Sequence, residues 1–83
     1  MADIVWALFD GYIKAKTEKA IGLAYEGLDG KPVKEIAIWL PLSQIGTITY
    51  DDGGDSEEIH VGKKIEAIEM PEWLANKNEL EIE

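Results

Sequence analysis

Two alternating apolar runs flank a turn in residues 20–40, which read AIGLAYEGLDGKPVKEIAIWL. Apolar side chains recur at every second position from Ile21 to Tyr25, as in a strand with one buried face. Asp29-Gly30 lies between the runs and is a strong hairpin signal, because both residues accept the positive φ of a tight turn. The pattern predicts a β-hairpin with strands over 20–26 and 33–40.

Further strands are predicted on both sides of this hairpin. Residues 4–14 are β-branched and aromatic but contain Asp10-Gly11, which predicts one strand with a bend or bulge, or two short strands. Later strands are predicted at 46–50, at 59–61 and 63–70 joined through Gly62, and at 79–83, which would be an edge strand or a frayed tail.

One short helix is predicted at 71–78, which reads PEWLANKN. Pro71 suits the first helical position, Glu72 favours the positive helix N-terminus, and Lys77 and Asn78 suit the exit. Leu74 is expected to dock this helix onto the strands. The segment has room for two turns.

About five short strands and one helix predict a mainly β single domain over 1–83. The expected architecture is a small antiparallel five-stranded barrel or a strongly bent sheet, SH3-like or OB-like, with a sheet crossed by a helix as the rival. Because a chain of 83 residues has a thin core, its large aromatic residues are expected inside: Trp6, Phe9, Tyr12, Tyr25, Trp39, Tyr50 and Trp73.

The charge balance disfavours direct nucleic-acid binding. Seventeen acids against eight Lys give a net charge of −9, and the chain has no Arg. Arg is the residue best suited to grip phosphate and guanine, and an acidic surface repels a polyanion. Up to Leu40 there are five Lys against six acids, and beyond it three against eleven. This polarity favours a partner with a basic surface.

The composition also bears on compartment and chemistry. The chain has no Cys, which excludes disulfides and thiolate sites and favours the cytosol. No apolar run approaches a membrane span or the core of a signal peptide, so no membrane association is expected.

No catalytic constellation is recognisable, so we expect no enzyme, no cofactor and no metal site. His60 is the single His and is interpreted as an outward-facing strand residue. No Gly-rich phosphate loop occurs, and the calcium-loop template counted from Asp51 fails because its third position is Gly53.

Residues 51–58, DDGGDSEE, form the densest acidic segment. Two interpretations remain open. The segment is either a solvated hairpin tip with Gly53-Gly54 as its turn, or a string of carboxylates that occupies a basic groove as a phosphate backbone would. Six further acids would extend the same field if they share a face with the segment: Glu66, Glu69, Glu72, Glu79, Glu81 and Glu83.

The candidate partner-binding residues are this acidic set and three residues elsewhere. Trp39 and Trp73 are expected to plug the core, but either would be an interface anchor if exposed. Gln44 is either a recognition residue or a partner for backbone groups after Pro41. The full set is Asp51, Asp52, Asp55, Glu57, Glu58, Trp39, Gln44 and Trp73.

Three segments resemble a group of small bacteriophage and mobile-element proteins: TEKAI (17–21), WLPLSQI (39–45) and MPEWLANK (70–77). In that group a K-A-I strand precedes W-[IL]-P-x-S-Q-I and a closing P-x-W-L-A-x-K helix, and Leu42 stands where Lys is expected. The resemblance implies a phage setting inside a host bacterial cell, where small acidic proteins often inhibit host machinery, as anti-CRISPR proteins do. It supplies no functional residues.

The leading hypothesis is therefore a non-catalytic phage-type inhibitor that binds a basic surface of a host nucleic-acid-handling protein. One alternative is an accessory barrel that stacks nucleic-acid bases on Tyr12, Tyr25, Trp39 and Tyr50. Another is a homo-oligomeric structural module that pairs through sheet edges, which leaves a homodimer open.

Overall fold

The computed structural model describes residues 3–83, which form an antiparallel seven-stranded sheet and one short helix. The strands are β1 (Ile4–Lys16), β2 (Ala20–Tyr25), β3 (Ile38–Pro41), β4 (Ile48–Tyr50), β5 (Asp55–Ser56), β6 (Lys64–Pro71) and β7 (Glu81–Ile82). The helix α1 spans Glu72–Lys77, and a 3-10 turn spans Leu42–Gln44. The spatial order is β3-β2-β1-β6-β4-β5, and β7 pairs with β1. The mainly β antiparallel fold is confirmed, but the sheet is not a closed barrel.

The long strand β1 organises the sheet. Its register with β6 slips between Leu8 and Gly11, so Phe9 and Asp10 form a bulge. This confirms the interruption predicted at Asp10-Gly11, within a single strand. Gly11 is required there because a Cβ would collide with the carbonyl oxygen of Ala24 and with the Phe9 ring.

The core lies against one face of β1, β2 and β6, and α1 closes it. Its largest fully buried side chains are Ile13, Ile21, Leu23, Leu40, Ile48, Ile65, Ile68 and Met70. Burying each such side chain stabilises the fold by about 1.5–3 kcal/mol. Leu74 is 3% exposed, so its predicted role in docking the helix is confirmed.

The predicted strand over 33–40 is wrong in its first half. A turn forms at the predicted place but is centred on Leu28-Asp29, because the Gly30 N–H donates to the Gly27 carbonyl at 3.0 Å and only Gly30 takes a positive φ there, +80. The chain then leaves the ladder after Val33 and rejoins it at Ile38, opposite Leu23. The Lys14 ammonium donates to the carbonyls of Val33 (2.6 Å) and Lys34 (2.5 Å), which satisfies them outside the sheet.

The strand predicted at 59–61 is also wrong. The backbone N–H of His60 donates to the Tyr50 hydroxyl at 3.0 Å, and Gly62 turns the chain at φ +95. The next strand begins at Lys64. His60 is consequently a turn residue whose ring packs edge-on against Tyr50, with 5.4 Å between centroids.

Three aromatic residues that were expected inside are half exposed: Trp39 at 50%, Trp73 at 49% and Tyr25 at 50%. Trp39 pairs with Gly22 between the buried Ile38 and Leu40, so it points away from the core. Trp73 precedes Leu74 and Ala75, which take the buried side of α1. Phe9 and Tyr50 are buried as predicted, and Trp6 and Tyr12 are half-buried.

The C-terminal predictions hold with small changes. Pro71 is the N-cap of α1 rather than its first helical residue. Of the two alternatives for the tail at 79–83, an edge strand or a frayed end, the structure shows the edge strand: β7, where Ile82 lies opposite Ala7. Of the predicted strand 46–50, only the last three residues form β4. Across residues 3–83, no helix has the length and apolarity to span a membrane.

Candidate binding surfaces

The acidic hairpin, residues 51–58, connects β4 to β5 and continues beyond it. Its turn is closed by two backbone hydrogen bonds, from Tyr50 N–H to the Gly54 carbonyl (2.8 Å) and from Gly53 N–H to the Tyr50 carbonyl (3.0 Å). Gly53 has φ +88, which glycine adopts without strain. The turn is therefore centred on Asp51-Asp52, with Gly53 in the left-handed position after it, and not on Gly53-Gly54 as predicted. Five exposed carboxylates belong to the hairpin: Asp51, Asp52, Asp55, Glu57 and Glu58.

A single hydroxyl group holds the returning limb of this hairpin. Tyr50 is 2% exposed, and its hydroxyl donates to the carbonyl of Glu58 at 2.7 Å. The same oxygen accepts the N–H of His60 at 3.0 Å. The chain is therefore anchored to the core directly after the last acidic residue, which limits the geometries that the carboxylates can adopt.

Part of the hairpin charge is neutralised within the protein. The Lys63 ammonium donates to Asp52 at 2.9 Å. This hydrogen bond, followed by one from Gly54 N–H and by the charge of Lys63, holds the pKa of Asp52 below 3.8. Glu58 lies 3.7 Å from the His60 ring. The other three carboxylates have no Lys or His nitrogen within 4.0 Å among residues 3–83: Asp51, Asp55 and Glu57.

The other predicted site residues are distributed over separate elements. Gln44 is exposed in the 3-10 turn, and the segment that follows this turn shares a cavity of about 300 Å³ with Glu57 of the hairpin. Trp39 belongs to β3, at the opposite end of the strand order from β5. Trp73 belongs to α1, which packs on β6, β1 and β7. The structure therefore brings the Gln44 segment beside the hairpin and leaves both Trp residues on other elements.

A second surface was missed by sequence reasoning. Gly11 pairs with both β6 and β2, and Leu8 pairs with both β6 and β7, so β2 and β7 share one edge of β1. The gap between them contains a cavity of about 450 Å³, here called the β1 groove. Its lining residues are Leu8, Phe9, Asp10, Tyr25, Glu66, Glu79, Leu80 and Glu81.

The β1 groove combines an apolar floor with an acidic rim. The rings of Phe9 and Tyr25 stack with 4.9 Å between centroids. Lys64 lies 3.7 Å from Asp10 and 3.1 Å from Glu26, and its hydrogen bond to Glu26 is the main cause of a raised Lys64 pKa. The remaining rim carboxylates make no ion pair within the described part of the chain: Glu66, Glu79 and Glu81.

Glu79 has an unusual backbone. It is the one non-glycine residue with positive φ between residues 3 and 83, at +56. It follows the Asn78 cap of α1, where Leu80 N–H donates to the Ala75 carbonyl (2.9 Å) and Glu79 N–H to the Asn76 carbonyl (3.1 Å). This is the Schellman arrangement, in which glycine usually occupies the left-handed position.

No sequence pattern unites the groove, because its residues come from four separate segments. The alternation of ELEIE at 79–83 was the nearest signal, since it places Glu79 and Glu81 on one face of an extended segment. His, Asp and Glu side chains within residues 3–83 form no group of three that could hold a metal ion. Comparison with protein-family models, curated proteins and solved structures found no match for this chain.

Proposed function

We propose that this protein is a non-catalytic inhibitor whose acidic hairpin occupies a basic, nucleic-acid-binding surface of a host defence nucleoprotein. A CRISPR effector inside the bacterial cell is the leading example. The observation that carries the proposal is the anchored hairpin: its turn and the segment after the turn present five exposed carboxylates, and the Tyr50 hydroxyl fixes the chain at their end. Carboxylates held in place lose little freedom on binding, which favours affinity.

The density of negative charge also supports mimicry of a phosphate backbone. Five acids among the eight residues 51–58 concentrate negative potential at the hairpin. Asp55 lies in β5 and two further acids follow it directly after Ser56. A basic groove that accepts a phosphate backbone would meet a similar density of negative charge.

The accessory-barrel alternative has weaker support. The Tyr12 hydroxyl donates to the Gly30 carbonyl, and Tyr50 is buried, so two of the four proposed stacking residues are engaged within the protein. The Lys14 ammonium is engaged by backbone carbonyls. Tyr25 and Trp39 remain exposed. A mobility shift of single-stranded DNA in the presence of the protein would favour the accessory barrel over the inhibitor.

The test compares the wild type with a hairpin-neutral variant in which Asp51, Asp52 and Asp55 become Asn, and Glu57 and Glu58 become Gln. Both proteins are immobilised and exposed to lysate from a bacterium that expresses a CRISPR effector. We expect the wild type to retain nucleic-acid-binding proteins that duplex DNA elutes. The variant should lose them, because charge complementarity speeds association and holds the complex in register.

A matched control neutralises five acids outside the hairpin: Asp3, Glu18, Glu35, Glu72 and Glu83. This control should retain the same proteins as the wild type, in amounts that differ by less than about threefold. Equal retention by the hairpin-neutral variant would overturn the mimicry mechanism.

Trp39→Ala and Trp73→Ala then test the anchors, since loss of an interface Trp typically costs about 2 kcal/mol or more of binding energy.

A further inference from the structure

We propose that the β1 groove binds an arginine side chain presented by an extended basic segment of a partner protein. This surface is separate from the acidic hairpin, and the inference does not depend on the hairpin mechanism. It is carried by three features of the groove: an interrupted sheet edge, an exposed aromatic ring over an apolar floor, and three rim carboxylates with no Lys within 4.0 Å in residues 3–83.

The interrupted edge makes room for a side chain. Phe9 and Asp10 have no partner in the registers that β1 forms with β2, β6 and β7. The cavity beside them is about 450 Å³, within the roughly 300–1,000 Å³ typical of small-ligand sites. An elongated side chain that approaches along the gap therefore meets a concave surface instead of a continuous strand.

The floor suits an aliphatic stem that ends in a planar cation. Leu8 and Leu80 line the cavity, and Phe9 covers one side of the Tyr25 ring. Tyr25 stays half exposed. A guanidinium stacks on an aromatic face and is weakly hydrated, whereas the compact Lys ammonium holds its water strongly. The floor thus favours Arg over Lys.

The carboxylates on the rim of the β1 groove complement the positive charge of an Arg side chain. Glu66, Glu79 and Glu81 surround the apolar floor without a Lys within 4.0 Å in the described part of the chain. A cation that enters the groove would be attracted by each of these carboxylates. A guanidinium offers five N–H donors, enough to bridge more than one carboxylate. The same rim would reject a phosphate or a nucleic acid.

The test uses a labelled nonapeptide with three alternating Arg residues, and two versions in which the central Arg is citrulline or Lys. Citrulline keeps the shape of Arg but lacks its charge. Binding is followed by fluorescence anisotropy and by amide shifts in NMR spectra. We expect the citrulline peptide to bind about tenfold more weakly, which corresponds to about 1.4 kcal/mol, and the Lys peptide to be intermediate. Shifts should concentrate at Phe9, Asp10, Tyr25 and Leu80.

Matched variants separate the groove from general charge attraction. The double variant Glu66→Gln, Glu79→Gln should bind the Arg peptide about tenfold more weakly than the wild type. The double variant Glu18→Gln, Glu35→Gln removes the same charge, and its affinity for the peptide should change by less than about twofold. Tyr25→Leu should weaken binding and Tyr25→Phe should preserve it, because only the first removes the ring. The hairpin-neutral variant should bind the peptide as the wild type does.

Several results would overturn the inference. Equal affinities for the Arg and citrulline peptides would exclude a charged occupant. Equal losses in the two Glu pairs, or shifts centred on 51–58, would assign the binding to general electrostatics or to the hairpin. Self-association of the protein that Tyr25→Leu abolishes would assign the groove to a second copy of the chain. The lysate experiment tests the acidic hairpin, so its failure alone would not count against binding of Arg in the β1 groove.

Discussion

At the scale of single residues, the Tyr50 hydroxyl positions the acidic hairpin through two hydrogen bonds to the backbone. One buried oxygen donates to the Glu58 carbonyl and accepts the His60 N–H. A buried polar group that loses its partner costs more than the same loss at the surface, because water cannot replace the partner. The position of the acidic hairpin therefore depends on a residue that belongs to the core.

Tyr50→Phe should lower the free energy of unfolding by about 1–3 kcal/mol, because two backbone groups lose their partner. Urea unfolding followed by tryptophan fluorescence measures the change. Tyr12→Phe is the control: it removes one exposed hydrogen bond, to the Gly30 carbonyl, and should cost about 1 kcal/mol or less. Equal losses in both variants would show that the Tyr50 hydroxyl does not hold the hairpin.

Glu79→Gly should raise the free energy of unfolding by about 1 kcal/mol, because the left-handed conformation at φ +56 disfavours residues with a Cβ. Glu79→Ala removes the carboxylate but keeps the Cβ, so it should produce no comparable gain. Thermal unfolding of the three proteins gives the comparison. If Ala stabilises as much as Gly, the gain comes from the removed charge and the conformational explanation is wrong.

At the scale of elements, the bulge in β1 and the close contact of β2 at Gly11 depend on each other. The bulge turns Phe9 into the core beside Gly11, and the backbone of β2 passes directly over that glycine. This packing leaves no room for a methyl group. It also places the end of β2 so that Tyr25 meets Phe9 and forms one side of the β1 groove.

Gly11→Ala should destabilise the fold by about 1–3 kcal/mol, since the new Cβ meets a backbone carbonyl that cannot move independently of the sheet. Gly54→Ala at the hairpin tip is the control, because its new Cβ would meet only the end of the Asp52 side chain, at 3.2 Å. Denaturant unfolding of both should separate them clearly. A near-neutral Gly11→Ala would mean that β2 does not approach β1 this closely.

The pair of Asp52 and Lys63 should make the hairpin sensitive to acid. The pKa of Asp52 is lower in the folded protein than its ordinary 3.8. The stability from this carboxylate is therefore complete above about pH 4 and is lost as the pH falls through the lowered value. Asp52→Asn should reduce the loss of stability between pH 5 and pH 2 that unfolding experiments measure, relative to Asp55→Asn. An identical pH profile for both variants would contradict the assignment.

At the scale of the whole molecule, the net charge of −9 opposes compactness. Raising NaCl from about 10 mM to about 0.5 M shortens the screening length several-fold, so the urea midpoint of the wild type should rise. The hairpin-neutral variant has a net charge of −4, since five of the nine excess negative charges are removed. Its midpoint should rise less, and an equal rise would show that the hairpin charges do not contribute to this repulsion.

Sequence reasoning predicted the local patterns well and the long-range ones poorly. The first strand, its bulge, the turn at 27–30 and the helix with Leu74 inside all follow from neighbouring residues. The first half of the strand predicted over 33–40 failed because the carbonyls of Val33 and Lys34 accept hydrogen bonds from Lys14, which is about twenty residues away in sequence. The strand at 59–61 failed in the same way, since Tyr50 takes the His60 N–H.

The candidate sites show the same difference between local patterns, which were predicted, and long-range contacts, which were not. The acidic hairpin was visible as a run of acids around two glycines, but its turn is centred on Asp51-Asp52 and uses only Gly53 in the left-handed conformation. The exposure of Trp39 was misjudged because alternation in a strand does not say which face is buried, and Gly22 opposite it leaves room for the ring on the outer face. The β1 groove required the register of three ladders, and no sequence pattern specifies that.

The open sheet has a consequence for solubility during folding and at high concentration. A sheet that does not close leaves edge strands, here β3, β5 and β7, and such strands can template fibrils. Here β3 is four residues long and ends at Pro41, while β5 is two residues long and begins with Asp55. Short length, proline and charge are the features by which natural sheets avoid edge-to-edge growth. We therefore expect the acids of the hairpin to oppose edge-to-edge growth as well, independently of any partner.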